Sequence, residues 1–284
     1  MHCDVEILCL GNELLKGMVI NTNAQWLALK ITHLSGEVKR ITIVGDDVKT
    51  IAFEILGAIN RKPDYIITTG GLGPTYDDLT LEGVASALQL QLSINQEAEE
   101  IVREKYAKHM NLPSSEVNLK PTQLKMATLP EGFKPLYNPI GTAPGVIGKK
   151  GETSIVSLPG VPSEMKSIFN ESLSFRIRSS TRKRFYNEIN LKVDGIIESE
   201  LSPLINEVRE INPEVYIKSR PFIGGETPII NLHFSTTSNT NSEGLELLKK
   251  SSTKIKQLLT EYGIVTFEEH IQNPDSPSSH QDQI

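Results

Sequence analysis

Hydrophobic positions along residues 1–170 alternate between two periodicities, one typical of buried strands and the other of amphipathic helices. Near-continuous apolar runs at residues 5–10, 38–44 and 65–69 predict three buried strands. The helical segments that separate them carry apolar residues at i, i+3, i+4 and i+7, and the first begins at a capping-box pattern, Thr22-x-x-Gln25. Successive strand–helix units predict a mostly parallel sheet with helices on both faces, a three-layer α/β fold.

A second region, residues 185–265, has the pattern of a smaller α+β domain. Its periodicity predicts a strand at 185–193, a helix at 196–211, a hairpin of 214–219 with 229–235 around Gly224-Gly225, and a helix at 245–262. The order is therefore β-α-β-β-α. We assign residues 1–175 to the first domain and 185–265 to the second, and we predict that the polar segment 272–284 is a disordered tail.

Composition indicates the cellular setting. With 38% hydrophobic and 23% charged residues among 284, the chain can bury a core in each of two domains. No apolar run spans a bilayer and the N-terminus lacks a signal-peptide pattern, so we expect a cytoplasmic protein that does not enter a membrane. A net charge of −6 and the lack of a GxxG loop between residues 185 and 265 argue against a nucleic-acid partner.

The most informative motif directly follows the third predicted strand and combines three glycines with two adjacent carboxylates. Gly70, Gly71 and Gly73 can bend the backbone and present N–H groups to an anion. Asp77 and Asp78 would repel a phosphate unless a divalent cation lay between them. The motif indicates a metal-assisted phosphate or nucleotide site. The alternative is a tight turn with an aspartate cap on a helix at 79–90.

Two further polar loops leave the same predicted edge of the sheet. Ligands of such sheets bind where loops leave the carboxyl ends of the strands, and residues 11–23, 45–47 and 70–78 all lie there. Their polar side chains are those of Glu13, Asn21, Asn23, Asp46, Asp47, Asp77 and Asp78. This convergence favours a ligand site, although the aspartates at 46 and 47 could cap a helix and the two asparagines could initiate one. The chain has no P-loop motif, which excludes a P-loop NTPase.

Five separated motifs stand in one order: residues 11–17 (GNELLKG), 21–25 (NTNAQ), 70–80 (GGLGPTYDDLT), 138–145 (NPIGTAPG) and 158–166 (LPGVPSEMK). Over about residues 4–170 they resemble the N-terminal part of the competence/damage-inducible CinA family, and the remainder resembles the KH-like domain that follows there. The resemblance implies a fold like that of the molybdopterin-binding proteins MoaB and MogA. The chain ends before the deamidase domain of full-length bacterial members, so deamidation is not expected of it.

The same resemblance implies a metal-dependent hydrolase that cleaves ADP-ribose to AMP and ribose 5-phosphate. We predict Glu13, Asp46 and Asp78 as catalytic residues, with Asp46, Asp77 and Asp78 binding Mg²⁺ or another divalent cation. K⁺ is a further candidate ion. The residues predicted to bind the nucleotide-type ligand are Asn21, Asn23, Gly70, Gly71, Gly73, Thr75, Asn138, Gly141, Thr142, Ala143, Gly145, Pro159 and Gly160. The three asparagines among them are expected to contact the ribose or the base.

Two other functions stay open from the sequence. The same edge of the sheet could bind molybdopterin and adenylylate it during molybdenum-cofactor biosynthesis, or it could bind a nucleotide without catalysis. We also expect a homo-oligomer, because the family fold commonly self-associates.

Overall fold

The computed structural model divides the chain into two compact units, Met1–Arg182 and Lys183–Ile284. It describes residues 3–181, 184–222, 228–264 and 267–272. No helix within these ranges is long and apolar enough to cross a membrane. The predicted turn at Gly224-Gly225 and residues 273–284 of the predicted tail lie outside the described ranges.

The first unit is built on a six-stranded sheet and a separate two-stranded sheet. The strands in chain order are β1 (Cys3–Leu10), β2 (Gly36–Val44), β3 (Tyr65–Thr69), β4 (Leu92–Ile94), β5 (Thr128–Pro130), β6 (Lys134–Leu136), β7 (Gly145–Lys150) and β8 (Thr153–Leu158). The large sheet has the order β2-β1-β3-β8-β7-β6, and β4 pairs with β5. Its first four strands are parallel and its last two pair antiparallel. The predicted α/β class is confirmed, and the sheet is mixed.

Helices cover both faces of the large sheet. In chain order they are α1 (Asn12–Leu15), α2 (Thr22–His33), α3 (Val48–Arg61), α4 (Thr80–Leu88), α5 (Gln96–Met110), α6 (Pro121–Lys125), α7 (Pro162–Ile168) and α8 (Ser174–Ser180). Strand residues alternate between the faces. Leu8 and Ile66 belong to the core with α3 and α4, whereas Ile7 and Ile67 belong to the core with α2 and α7. Because the central strands are buried on both faces, they read as apolar runs in the sequence.

The parallel register brings the carboxyl ends of four strands to one edge. Leu10 of β1 lies opposite Val44 of β2, and Cys9 of β1 lies opposite Thr69 of β3. Thr69 in turn lies opposite Leu158 of β8. Neighbouring strands are about 5 Å apart, so the loops after β2, β1, β3 and β8 leave the sheet side by side.

Three helix starts settle alternatives that the sequence left open. Asn21 caps α2 by accepting a hydrogen bond from the N–H of Ala24 at 3.1 Å, so the predicted Thr22 capping box is wrong. Asp47 caps α3 by accepting from the N–H of Thr50 at 2.8 Å. No side chain caps α4, which excludes the aspartate-capped turn as the explanation of the glycine-rich motif.

The second unit has one more strand than the sequence predicted. Its elements are β9 (Phe185–Asp194), α9 (Glu198–Ile211), β10 (Tyr216–Phe222), β11 (Ile229–Ser238), α10 (Asn241–Glu261) and β12 (Phe267–Gln272), and the antiparallel sheet has the order β10-β11-β9-β12. β12 was not predicted, because its sequence is mostly polar and shows no strand periodicity. In the structure this segment pairs antiparallel with β9. The order β9-α9-β10-β11-α10 agrees with the predicted β-α-β-β-α pattern. The KH-like expectation itself is not confirmed.

Candidate functional site

A cavity of about 470 Å³ opens at the edge of the large sheet where β1, β2, β3 and β8 end. The predicted site residues that line it are Glu13, Asp46, Gly70, Gly71, Gly73, Thr75, Asp77, Asp78, Thr142, Ala143, Pro159 and Gly160. Carboxylates from three loops therefore surround one cavity. No lysine, arginine or histidine is among the described residues that line it. An anionic ligand in this cavity needs backbone N–H groups or a cation to offset the carboxylates.

The glycine-rich turn after β3 adopts a backbone that side chains would block. Gly70 and Gly71 have φ of 107° and 66°, in the left-handed region that favours glycine. A Cβ on Gly70 would lie 2.3 Å from the carbonyl oxygen of Leu10, and one on Gly71 would lie 2.4 Å from Oγ1 of Thr80. The Thr80 hydroxyl also donates to the carbonyl of Gly70 at 2.7 Å. The turn is thereby fixed against the start of α4.

This turn leaves backbone donors unused. Within the described residues, the N–H groups of Gly71, Leu72 and Gly73 donate no hydrogen bond to another protein group. All three residues line the cavity. Because successive N–H groups in such a turn can form a concave anion-binding site, the turn suits a phosphate group.

Thr75 positions the two carboxylates that follow the glycines. Oδ2 of Asp78 accepts from the N–H and the hydroxyl of Thr75, at 2.8 and 2.6 Å. The same hydroxyl contacts Oδ1 of Asp77, and this hydrogen bond lowers the pKa of Asp77 below its usual value. Nζ of Lys125 donates to the carbonyl of Thr75 at 2.7 Å. Lys125 of α6 therefore stabilises the loop, although it does not line the cavity.

The adjacent aspartates at 46 and 47 have different roles. Asp47 caps α3, whereas Asp46 lines the cavity and accepts from the N–H of Asn12 at 2.8 Å. Burial raises the pKa of Asp46, the hydrogen bond from Asn12 opposes that shift, and neighbouring carboxylates, led by Glu13, raise the pKa further. Negative charge is thus concentrated at this end of the cavity, where a cation would be stabilised.

The carboxylates suit a cation that the ligand helps to hold. Among the residues that the structure describes, no group of three His, Cys, Asp or Glu side chains is arranged to hold a metal ion. The predicted set Asp46, Asp77 and Asp78 is therefore not a preformed metal cage. Mg²⁺ in phosphate sites is usually bound by one or two carboxylates together with phosphate oxygens and water. Asp46 and Asp78 supply oxygen donors of that kind.

Two of the asparagines that were expected to contact a ligand belong to the scaffold. Asn21 caps α2 and does not line the cavity. Asn23 is only 9% exposed, and its Nδ2 donates to Oγ1 of Thr69 at 3.1 Å and to the carbonyl of Gly160 at 2.7 Å. These bonds hold the loop after β8 beside the end of β3. Neither side chain lines the cavity, where contact with the ribose or base was predicted.

Asn138, the third asparagine, holds a cavity residue that the sequence prediction missed. It is fully buried, and its Nδ2 donates to the carbonyl of Ala143 at 2.8 Å and to Oε2 of Glu164 at 2.7 Å. Its Oδ1 accepts from the N–H groups of Ile140 and Gly141. Asn138 therefore has no polar atom left for a ligand, whereas Glu164 lines the cavity. In the sequence, Glu164 shows only the pattern of an acidic residue in the first turn of a helix.

Gly141 and Gly145, also predicted to bind the ligand, do not line the cavity. A Cβ on Gly141 would lie 1.9 Å from Oε2 of Glu164, so this glycine makes room for the carboxylate. Gly145 begins β7, where a Cβ would lie 3.1 Å from the side chain of Ile168. Both glycines serve packing around the site.

Comparison with known proteins agrees with this geometry. A family model described as a probable molybdopterin binding domain matches residues 6–179. A protein of Pyrobaculum arsenaticum is 39% identical over 255 residues, which cover 89% of this chain and 93% of that protein. A protein of Aeropyrum pernix is 40% identical over 263 residues, covering 90% and 95%. The crystal structure of the protein CinA of unknown function from Thermoplasma acidophilum is 35% identical with a TM-score of 0.57, and the match covers 62% of this chain and 98% of that one.

The first unit is thus an α/β domain that matches the family of probable molybdopterin binding domains. The chain belongs to the CinA-like family. The expectation of an ADP-ribose pyrophosphatase-like hydrolase is wrong, because the family model that spans the whole cavity is that of a probable molybdopterin binding domain. The molybdopterin alternative fits the chain better.

Proposed function

We propose that the cavity binds molybdopterin, a pterin whose side chain ends in a phosphate. The observation that carries the proposal is the glycine-rich turn: residues 71–73 line the cavity, and their N–H groups donate no hydrogen bond within the described residues. Leu72, Met126 and Val161 also line it, and apolar side chains of this kind suit the faces of a flat heterocycle. The site thus offers donors for a phosphate and apolar contacts for a ring.

A divalent cation completes the proposal, because the phosphate would otherwise lie among carboxylates. Asp46 and Asp78 would each give an oxygen ligand, and phosphate oxygens and water would supply the rest. When bound, such an ion offsets the charge of both the phosphate and the carboxylates. The protein's own contribution is to keep the carboxylates in place, through the N–H of Asn12 for Asp46 and through Thr75 for Asp78.

Titration calorimetry with molybdopterin, with and without Mg²⁺, tests this function. The informative variant is Asp78→Asn, which keeps an oxygen acceptor for Thr75 but removes one charge from the cavity. Without Mg²⁺ we expect the variant to bind molybdopterin more tightly than the wild type, because one repulsive charge is gone. With Mg²⁺ we expect about ten-fold weaker binding, or about 1.4 kcal/mol, because the ion loses a ligand.

Asp47→Asn is the matched control for this experiment. It removes the same charge one residue from Asp46, keeps a good helix cap because asparagine caps as well as aspartate, and lies outside the cavity. Its affinity for molybdopterin should equal that of the wild type under both conditions. Failure of the wild type to bind molybdopterin would refute the function, and an equal response to both substitutions would refute the role of Asp78.

Adding ATP to the same mixture distinguishes adenylylation from binding alone. Release of pyrophosphate that requires molybdopterin would show the transferase reaction that the sequence left open. Binding without pyrophosphate release would show a binding protein. Either result agrees with the proposed site.

A further inference from the structure

Glu164 is the one acid of the cavity that a fully buried side chain holds in place. Asn138 is 0% exposed, and its Nδ2 donates to Oε2 of Glu164 at 2.7 Å. Gly141 lies so close to the carboxylate that a Cβ there would lie 1.9 Å from Oε2 and 2.4 Å from Oε1. Asn138 thus holds the carboxylate through a buried amide, and Gly141 leaves the space that the carboxylate occupies.

The strand order places Glu164 away from two of the other acids of the cavity, Glu13 and Asp46. Glu13 follows β1 and Asp46 follows β2, whereas Glu164 stands on α7, which follows β8. In the sheet order β2-β1-β3-β8, the glycine-rich turn after β3 lies between these groups. The cavity therefore extends from this turn in two directions, toward Asp46 and toward Glu164. A ligand whose phosphate lies on the turn can place the rest of the molecule on the Glu164 side.

The surroundings of Glu164 suit an uncharged ring with hydrogen-bond donors. Ala143 and Val161, which stand on the loops next to it, line the same cavity, and no basic side chain is among the described lining residues. Oε1 of Glu164 accepts no hydrogen bond within the described residues. Oε2 accepts one from Asn138 and retains a second acceptor position, because each carboxylate oxygen has two. The carboxylate of Glu164, held by Asn138, can therefore accept two parallel hydrogen bonds from N–H groups of a ligand.

Accordingly, we infer that Glu164 determines specificity by accepting the paired N3–H and 2-amino groups of a 2-amino-4-oxopyrimidine ring, the donor edge of a pterin. The inference rests on the proposed function and adds the residue that recognises the pterin ring. Asp46 and Asp78 are less suited to this role, since they are the proposed cation ligands. The buried Asn138 is a positioning residue, which acts on the ligand through Glu164.

Competition against molybdopterin tests this specificity with pterin and lumazine, which differ in having an amino or an oxo group at position 2. For the wild type we expect pterin to compete about ten-fold better than lumazine, because lumazine lacks the amino donor and leaves the carboxylate partly unpaired. In Glu164→Gln the preference should fall below about three-fold, and the affinity for molybdopterin should fall about ten- to hundred-fold. Glu164→Asp, which keeps the charge but is shorter, should also lose the preference.

Glu171→Gln is the matched control, because Glu171 is exposed, lies in the π-helical segment Phe169–Leu173 that follows α7 and is bonded only to Ser167 among the described residues. It should retain the pterin preference of the wild type. If molybdopterin binds the wild type but both Glu164 variants keep the preference, the inference is wrong and the proposed function survives. If molybdopterin does not bind the wild type, the proposed function itself fails. Circular dichroism confirms that each variant is folded before it is compared.

Discussion

Replacing Asn138 by aspartate tests how the buried amide holds the cavity together. The substitution is nearly isosteric, but it exchanges an N–H₂ donor for a second carboxylate next to Glu164. Two donated hydrogen bonds are lost, one to the carbonyl of Ala143 at 2.8 Å and one to Oε2 of Glu164 at 2.7 Å. The two bonds that Oδ1 of Asn138 accepts from the N–H groups of Ile140 and Gly141 can persist, because aspartate keeps this acceptor oxygen.

The expected loss of stability follows from these contacts. A neutral buried hydrogen bond contributes about 1 kcal/mol and one to a charged group about 2 kcal/mol, so the lost bonds account for about 3 kcal/mol. Two carboxylates about 4 Å apart repel by about 4 kcal/mol at an effective dielectric constant of 20, which is an upper limit because the pair can share a proton. We expect Asn138→Asp to lower the free energy of unfolding at pH 7 by about 4 kcal/mol.

Urea unfolding followed by tryptophan fluorescence measures this loss in the first unit alone. Trp26 is the only tryptophan of the chain, and its ring packs edge-on against the fully buried Phe169 with the centroids 5.3 Å apart. Its signal therefore reports on the core beneath α2 and α7. The deficit should shrink as the pH falls toward about 5, because a proton shared by the two carboxyl groups removes their repulsion.

Adding Glu164→Gln to Asn138→Asp provides the decisive comparison. The glutamine amide can donate to the new aspartate, which restores a charged hydrogen bond and removes the repulsion. We expect the double variant to recover more than half of the lost stability, with a deficit of about 1 kcal/mol left for the bond to Ala143. Additive destabilisation by the two substitutions would show that the hydrogen bond between these side chains does not carry the effect.

Two further predictions concern the turn and its neighbouring acid. Gly71→Ala should destabilise the first unit by about 1–3 kcal/mol in the same urea assay, because φ is 66° and a Cβ would lie 2.4 Å from Oγ1 of Thr80; unchanged stability would mean that the turn relaxes freely. Because the pKa of Asp46 is raised in the folded protein, ionisation of Asp46 costs stability, and the cost is complete above the raised pKa. The cost shrinks as the pH falls through the raised pKa and is gone below the usual pKa. Asp46→Asn should therefore stabilise the ligand-free protein at pH 7 and not at about pH 3, whereas a gain of equal size at both values would assign the effect to something other than this charge.

Much of the first unit was predictable because its signals are local. The apolar runs at residues 5–10, 38–44 and 65–69 lie within the observed β1, β2 and β3. The runs of β1 and β3 are buried, and such strands show their pattern without reference to a partner. The run of β2 was predicted as a buried strand, but β2 is the edge strand of the sheet and is mostly exposed. The acids at 13, 46 and 78 could be placed at one edge because carboxyl ends of parallel strands share that edge.

The remaining features depend on partners distant in sequence. Asn23 bonds to Gly160, which lies 137 residues away, and the carboxylate of Glu164 is held by Asn138. Nothing local distinguishes such a buried amide from one that contacts a ligand, so the sequence could not show that both asparagines bond to neighbouring loops. β12 was missed for a similar reason, since its polar sequence becomes a strand only through pairing with β9.

A crystal structure of the protein with molybdopterin and Mg²⁺ tests the central claim most directly. We predict that phosphate oxygens lie about 3 Å from the N–H groups of residues 71–73, with the pterin ring directed toward Glu164. A phosphate bound away from the glycine-rich turn, or a ligand outside the cavity, would contradict the account.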